Sequence, residues 1–266
     1  MSSKKLPIVF SLTLAVLPVC AQVSGEPVAA QRSVVFLDQS ARIHGPILDR
    51  VKNTDGSVTS TNWGGYAVTG ADNSFTYAAG SWVIPAVTCE SRQSSYAAFW
   101  VGIDGYSSST VEQTGTVSDC DRGKPVYSAW YEFYPAVSVT INTIKVTPGD
   151  VMSAWVSYAN SEFTTWIEDV TTGVTFSISS AVSGAERSSA EWIVEAHNPL
   201  ADFGTSLFGV DYTGVASTNC ATEGGSCMPI SSYSTWEAIT IESKRKIEAV
   251  PSALSSDGTS FSVSYQ

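Results

Sequence analysis

Three stretches of this 266-residue chain combine carboxylates, a carboxamide and large aromatic rings at strand-like spacing. The first is Phe99-Trp100-Val101-Gly102-Ile103-Asp104-Gly105, followed by Val111-Glu112-Gln113-Thr114-Gly115. The second is Tyr127-Ser128-Ala129-Trp130-Tyr131-Glu132-Phe133-Tyr134-Pro135, and the third is Ala190-Glu191-Trp192-Ile193-Val194-Glu195. Side chains alternate between the faces of a strand, so Trp130, Glu132 and Tyr134 share one face, as do Glu191, Ile193 and Glu195. Several acids beside large rings are costly to bury dry, so such a face is expected to line a wet cleft. The competing reading is a solvated outer face with the rings packed from the other side.

Other hydrolytic chemistries are poorly supplied. The chain has two histidines, His44 and His197, and no G-x-S-x-G elbow, so a serine triad would have to be built on His197. Neither an H-E-x-x-H zinc motif nor an Asp-Thr-Gly or Asp-Ser-Gly aspartic motif occurs, and no metal or other cofactor is expected. Cysteine catalysis needs a free thiol, whereas the mature cysteines are expected to pair. Carboxylates supported by amides and aromatic walls remain for acid–base work.

The elements that must position these groups read as strands. Period-two runs occur at Ser74–Pro85, Tyr96–Asp104, Val126–Tyr134, Val137–Val146, Val151–Tyr158, Phe163–Val170, Val174–Ile178, Ser188–Glu195, Thr235–Ile241 and Thr259–Tyr265. Gly, Pro, Asp and Asn separate them, and no long amphipathic helix is apparent. The expected fold is all-β, a two-sheet antiparallel β-sandwich of jelly-roll or concanavalin-like type over residues 61–266.

Lys4 and Lys5 precede an apolar run from Leu6 to Val19, with small residues around Ala21, so residues 1–21 read as a secretory signal peptide. Residues 22–60 carry Arg32, Arg42, Arg50 and Lys52 and end in a Gly/Ser/Thr-rich stretch, which reads as a pro-segment or flexible arm meeting the domain near Asn62. An edge strand through Ser33–Leu37 is the competing reading of that segment. Of five cysteines, Cys20 leaves with the signal, and Cys89, Cys120, Cys220 and Cys227 remain as an even set in an oxidising compartment. A local bridge between Cys220 and Cys227 leaves Cys89 for Cys120, although four cysteines allow three connectivities. The formal net charge of −11 disfavours nucleic acid and anionic membranes as partners, and an extracellular monomer acting on polypeptides is expected.

The chain resembles the glutamic peptidases, the eqolisin family of acid endopeptidases. The likeness begins at Asn62-Trp63-Gly64-Gly65-Tyr66 and runs in order through W-V-G-I-D-G, Q-T-G, A-W-Y-E-F-Y-P, A-E-W-I-V-E and Leu200–Thr205 to Gly258-Thr259-Ser260-Phe261. It implies a catalytic pair of Gln113 and Glu195, with Trp100, Asp104, Trp130 and Glu132 on the supporting wall and Tyr134 beside them. It also implies acid-activated removal of an N-terminal segment, expected here near Thr61. The sequence departs from the family in placing Glu112 beside Gln113, and alternation should turn Glu112 to the opposite face. His197 shares the face of Glu195 if that strand continues, where its cation would lower the Glu195 pKa; otherwise it is an exposed loop residue.

The expected mechanism has Glu195 take a proton from a water and pass it to the leaving amine, while the Gln113 carboxamide donates to the developing oxyanion. Two alternatives use the same face: a glycoside hydrolase with Glu132 and Glu195 as paired carboxylates, and a non-catalytic sugar- or peptide-binding module.

Overall fold

Two-residue turns in which both residues have positive φ close three hairpins: Arg122-Gly123, Asn160-Ser161 and Lys244-Arg245. Such turns match the right-handed twist of strands and set the register of the hairpins they join. The computed structural model describes residues 44–54, 56–209, 220–223 and 226–266, all within the compact unit Asp38–Gln266. The signal peptide, most of the arm and the Ser33–Leu37 segment lie outside the described residues.

The described residues form eighteen strands. These are β1 (Val51–Lys52), β2 (Val58–Ser60), β3 (Trp63–Thr69), β4 (Phe75–Val83), β5 (Tyr96–Ile103) and β6 (Val111–Asp121). They continue as β7 (Lys124–Tyr134), β8 (Val139–Ile141), β9 (Val151–Ala159), β10 (Glu162–Asp169), β11 (Val174–Ser180) and β12 (Ser189–His197). The last are β13 (Thr205–Phe208), β14 (Cys220–Glu223), β15 (Met228–Pro229), β16 (Glu237–Ser243), β17 (Lys246–Pro251) and β18 (Phe261–Tyr265). The only helix among the described residues is a 3-10 turn at Ile230–Ser232. The protein is all-β.

Hydrogen bonding runs continuously through β8–β7–β6–β5–β12–β3–β16–β17–β18–β13–β4–β9–β10–β11, antiparallel at every step. The one parallel pair is β2 with β16, and β1 extends from β2. Strand pairing therefore begins inside the 22–60 span: Val58 is fully buried and β2 is part of the sheet. The path curls until its ends face each other, with Tyr131 of β7 stacked on Phe176 of β11. The space enclosed is the main core, built from Phe99, Val101, Trp192, Val194, Trp82, Met152, Phe163 and their neighbours. Trp82 Nε1 donates to Thr116 Oγ1 at 2.8 Å and Trp192 Nε1 to the Ala79 carbonyl at 2.6 Å, so both indoles cross the core without an orphaned donor.

A second apolar cluster lies on the other face of β3, β5, β6 and β12, around Trp63, Trp100, Val117, Trp130 and Ile193. These strands are covered on both sides, and that arrangement seats the site. The Val137–Val146 run forms a strand only over Val139–Ile141, with a turn and irregular chain beyond. Cys89 is bonded to Cys120 and Cys220 to Cys227, with Cα separations of 5.5 and 5.4 Å.

Candidate active site

Register across four strands gathers the polar groups named above. Glu195 on β12 lies between Trp63 of β3 and Ala98 of β5. Gln113 on β6 lies between Gly102 of β5 and Glu132 of β7. Counting by twos from these pairs puts Glu195, Ile193, Trp100, Gly102, Gln113, Gly115, Trp130 and Glu132 on one face of the sheet. Gly115 has to be glycine there: a Cβ would run into the Phe99 carbonyl and the Trp100 side chain. Glu195, Gln113 and Glu132 are all essentially excluded from solvent, at 1%, 0% and 0% exposure.

What covers them is the chain's own segment from His44 to Leu48. Gln113 Nε2 donates to the His44 carbonyl at 2.6 Å, and the Gly45 N–H donates to Glu195 Oε1 at 3.3 Å. The two groups therefore meet on the same peptide bond, one at its oxygen and one at its nitrogen. Glu132 Oε2 accepts from the His44 N–H at 3.1 Å and from Gln113 Nε2 at 3.2 Å. Trp63 Nε1 donates to the Gly45 carbonyl, Asn62 Nδ2 to the Pro46 carbonyl, and the Ile47 N–H to the Gly105 carbonyl. The His44 ring stacks on Trp130 with centroids 3.8 Å apart, meets His197 edge-on at 4.9 Å, and places Nδ1 3.3 Å from Glu195 Oε2. Gly45 passes against the Tyr134 ring.

Electrostatics follow from this burial. Glu195 is pushed up to about 7, chiefly by desolvation; the His197 charge and hydrogen bonds from Trp100, Gly45 and Asn62 pull it back down. Glu132 rises to about 9 through desolvation and the neighbouring Glu195 carboxylate, against the hydrogen bonds from the His44 N–H and Gln113. The Gln113 Oε1 and Glu132 Oε1 atoms are buried with no hydrogen-bond donor among the described residues. The site thus offers a neutral N–H donor on a carbonyl oxygen, a carboxylate at the adjoining nitrogen and unused acceptors beside both. That is the equipment for adding water across an amide. His44, Glu195 and His197 also place ligand atoms within 4.8 Å of one another, the one group of three among the described residues that an ion could join.

Most of the residues read from sequence converge here. Trp100 donates from Nε1 to Glu195 Oε2 at 3.0 Å, Trp130 carries the His44 ring, Glu132 bonds Gln113, and Tyr134 flanks Gly45. Asp104 does something else. Its carboxylate accepts the backbone N–H groups of Glu186, Arg187 and Ser188 at 2.9, 2.7 and 2.9 Å and so pins the chain before β12. None of its hydrogen bonds reaches the His44–Gly45 peptide. Glu112 turns to the opposite face from Gln113, into the interior, where burial and the nearby Asp104 carboxylate push it up to about 9. β12 does continue through His197, which is half-buried beside His44.

Asn62, Trp63 and His44 take part in the site although the sequence assigned them no role there. Asn62 donates to Glu195 Oε1 at 3.3 Å and accepts from the Leu48 N–H at 2.7 Å, tying the covering segment to the carboxylate. Its sequence signal is its place at the head of the Asn62-Trp63-Gly64-Gly65-Tyr66 block; the structure adds that the adjoining Trp63 pairs with Glu195. His44 offered no signal beyond being one of two histidines.

Comparison with known proteins decides the family. The Peptidase A4 family matches residues 61–265. The chain belongs to that family. It is an enzyme that hydrolyses peptide bonds, a glutamic peptidase. Aspergillopepsin-2 from Aspergillus niger is 32% identical over 204 residues, covering 66% of this peptidase and 70% of the relative. Among solved structures, scytalido-glutamic peptidase with a transition-state analogue inhibitor aligns with a TM-score of 0.64 at 26% identity, over 77% of this peptidase and 98% of that chain. SCP-B, a member of the eqolisin family in complex with the tripeptide Ala-Ile-His, aligns with a TM-score of 0.59 at 25% identity over the same shares, 77% and 98%. The glycosidase and binding-module alternatives find no support in these relatives.

Proposed function

We propose that this peptidase is a secreted acid endopeptidase in which Glu195 and Gln113 activate water directly, without a covalent intermediate or a metal. The observation that carries this reading is the pair of hydrogen bonds on one peptide unit, Gln113 to the His44 oxygen and Glu195 to the Gly45 nitrogen. In the reaction, ionised Glu195 removes a proton from the attacking water, Gln113 Nε2 stabilises the oxyanion, and Glu195 returns the proton to the departing nitrogen. The Gln113 Oε1 and Glu132 Oε1 acceptors are available to orient the water. A carboxamide keeps its donor at any pH, which suits work in acid. Glu195 is raised to about 7 largely by desolvation under the 44–48 segment. Opening the cleft to solvent removes part of that penalty, and the Trp100 and Asn62 donors and the His197 charge then favour the ionised form.

The supporting wall comprises Trp100, Trp130, Glu132 and Tyr134, with Asp104 in a positioning role. The fold is read as two antiparallel layers of jelly-roll or concanavalin-like type, made by the curl of the strand path. Cleft substrates are polypeptides bound in extended form; the Ala-Ile-His tripeptide held by one relative has the same last two residues as Ile43-His44 here, which supports reading the covering segment as a substrate mimic. Secretion rests on the basic and apolar N-terminus; no described helix is long and apolar enough to cross a membrane. The enzyme is read as a monomer that needs no nucleic acid or membrane partner. Glu195→Gln should fold normally, judged by circular dichroism, and lose hydrolysis of denatured casein in acid; a variant that still cuts removes Glu195 from the base role.

A further inference from the structure

We infer that the His44–Gly45 peptide bond is one that this peptidase cuts intramolecularly in its own chain, leaving Gly45 as the new N-terminus. The inference rests on the roles given above to Glu195 and Gln113 and adds the substrate on which they first act. A segment that merely plugged a cleft could fill it with side chains and leave its backbone anywhere. Here the backbone itself is engaged: the His44 carbonyl on Gln113 Nε2 at 2.6 Å and the Gly45 N–H on Glu195 Oε1 at 3.3 Å. The flanking groups hold the bond in register. The His44 N–H is on Glu132, the His44 ring is on Trp130, and the Gly45 and Pro46 carbonyls accept from Trp63 and Asn62.

The rest of the fold favours this bond over one near Thr61. Residues on the C-terminal side are built into the domain: Leu48 is anchored on Asn62, and β2 pairs with β16 with Val58 fully buried. A cut near Thr61 would detach a sheet strand, and the Thr61 N–H is bonded to the Leu48 carbonyl rather than to any cleft group. A cut after His44 leaves all of these contacts in place. The chemistry balances with water alone. The water oxygen bonds the His44 carbonyl carbon, one proton passes through Glu195 to the Gly45 nitrogen as the C–N bond breaks, and Glu195 ends as it began.

Acidifying the purified full chain and following it by N-terminal sequencing and intact mass tests the idea. The expected first product begins Gly-Pro-Ile, its rate per molecule does not change on dilution, and Gln113→Ala slows it by about 100-fold or more. Gly45→Pro, which removes the N–H facing Glu195, should block this cut, and the synthetic peptide spanning Ser40–Arg50 should be cleaved between His and Gly by activated enzyme. A first new N-terminus elsewhere, or a rate that scales with concentration, overturns the inference while Glu195-dependent cleavage of casein leaves the proposed function standing. If casein is not cut under any condition, the proposed function itself falls.

Discussion

Glu191 and Glu195 sit on the same face of β12 with only Ile193 between them on that face, and both are buried. Their environments nevertheless diverge. Glu195 lies beside the His44 ring; the His197 charge and donors from Trp100, Gly45 and Asn62 limit its rise to about 7 despite desolvation. Glu191 is pushed well above the usual carboxylate range by burial, with Asp104 and Glu112 adding to the shift. The Ser189 hydroxyl beside it offsets this only in part and lies outside hydrogen-bond geometry. Burial alone yields a neutral acid; burial surrounded by directed N–H donors yields a carboxylate that can change charge during a reaction. The strand supplies the position, and its neighbours supply the reactivity.

Exchanging the two carboxylates one at a time is the sharpest way to break this contrast. Glu195→Gln should lower kcat by about 10²–10⁴-fold, the range of a lost general base, whereas Glu191→Gln should leave kcat within about twofold. Equal losses would mean that the donors around Glu195 are incidental. Next in size, Gln113→Ala should lower kcat by about 10²–10³-fold with KM nearly unchanged, since the amide acts on charge that develops in the transition state. A rise in KM alone would make Gln113 a binding residue.

Stability against pH separates the two regions by linkage. Glu112, Glu132, Glu191 and Glu195 all have folded pKa values above the ordinary 4.5. Above that value the unfolded chain releases protons that the folded chain keeps, so stability falls as pH rises. The contribution is complete in acid below about 4.5 and is lost as pH climbs through about 7 and on past about 9. Urea midpoints should therefore be highest in acid, and the Glu112→Gln, Glu191→Gln double variant should flatten the decline. A midpoint that rises toward neutrality would contradict the buried, protonated state of these groups. The smallest effect belongs to a single donor. Trp100→Phe removes the indole N–H from Glu195 and should move the acid limb of kcat/KM upward by about one pH unit, or about 1.4 kcal/mol. An unmoved limb would show that this hydrogen bond does not tune the carboxylate.

Alternation is plainest in a strand with one face on the core and one toward solvent. β10 shows this directly, with exposed or half-buried residues at Glu162, Thr164, Trp166 and Glu168 and buried ones between them. β6, which carries Gln113, was read as a motif but not as a strand, because Val111–Cys120 is buried on both faces and polar residues fill it: Glu112, Gln113, Thr114, Thr116, Ser118 and Asp119. Period two weakens as a signal where neither face meets water, although β5 and β12, also buried on both faces, keep enough aromatic and β-branched residues to read as strands. β3 was missed for the same reason, and β2 was hidden within a Gly/Ser/Thr-rich stretch that reads as linker.

The order of residues by itself determined the class of the fold, the set of chemistries left after elimination, and the sharing of a strand face by Glu191 and Glu195, because alternation and residue type are local properties. It also put Gln113 and Glu195 forward through a resemblance of ordered motifs. Only the tertiary structure decided that Asn62, Gly45 and Trp100 donate to one carboxylate and not the other, and that Asp104 pins the chain before β12. It alone brought the His44–Gly45 peptide onto Gln113 and Glu195. These outcomes depend on which strands become neighbours and in what register. Those choices are made by long-range packing of the core, to which no single segment of sequence has access.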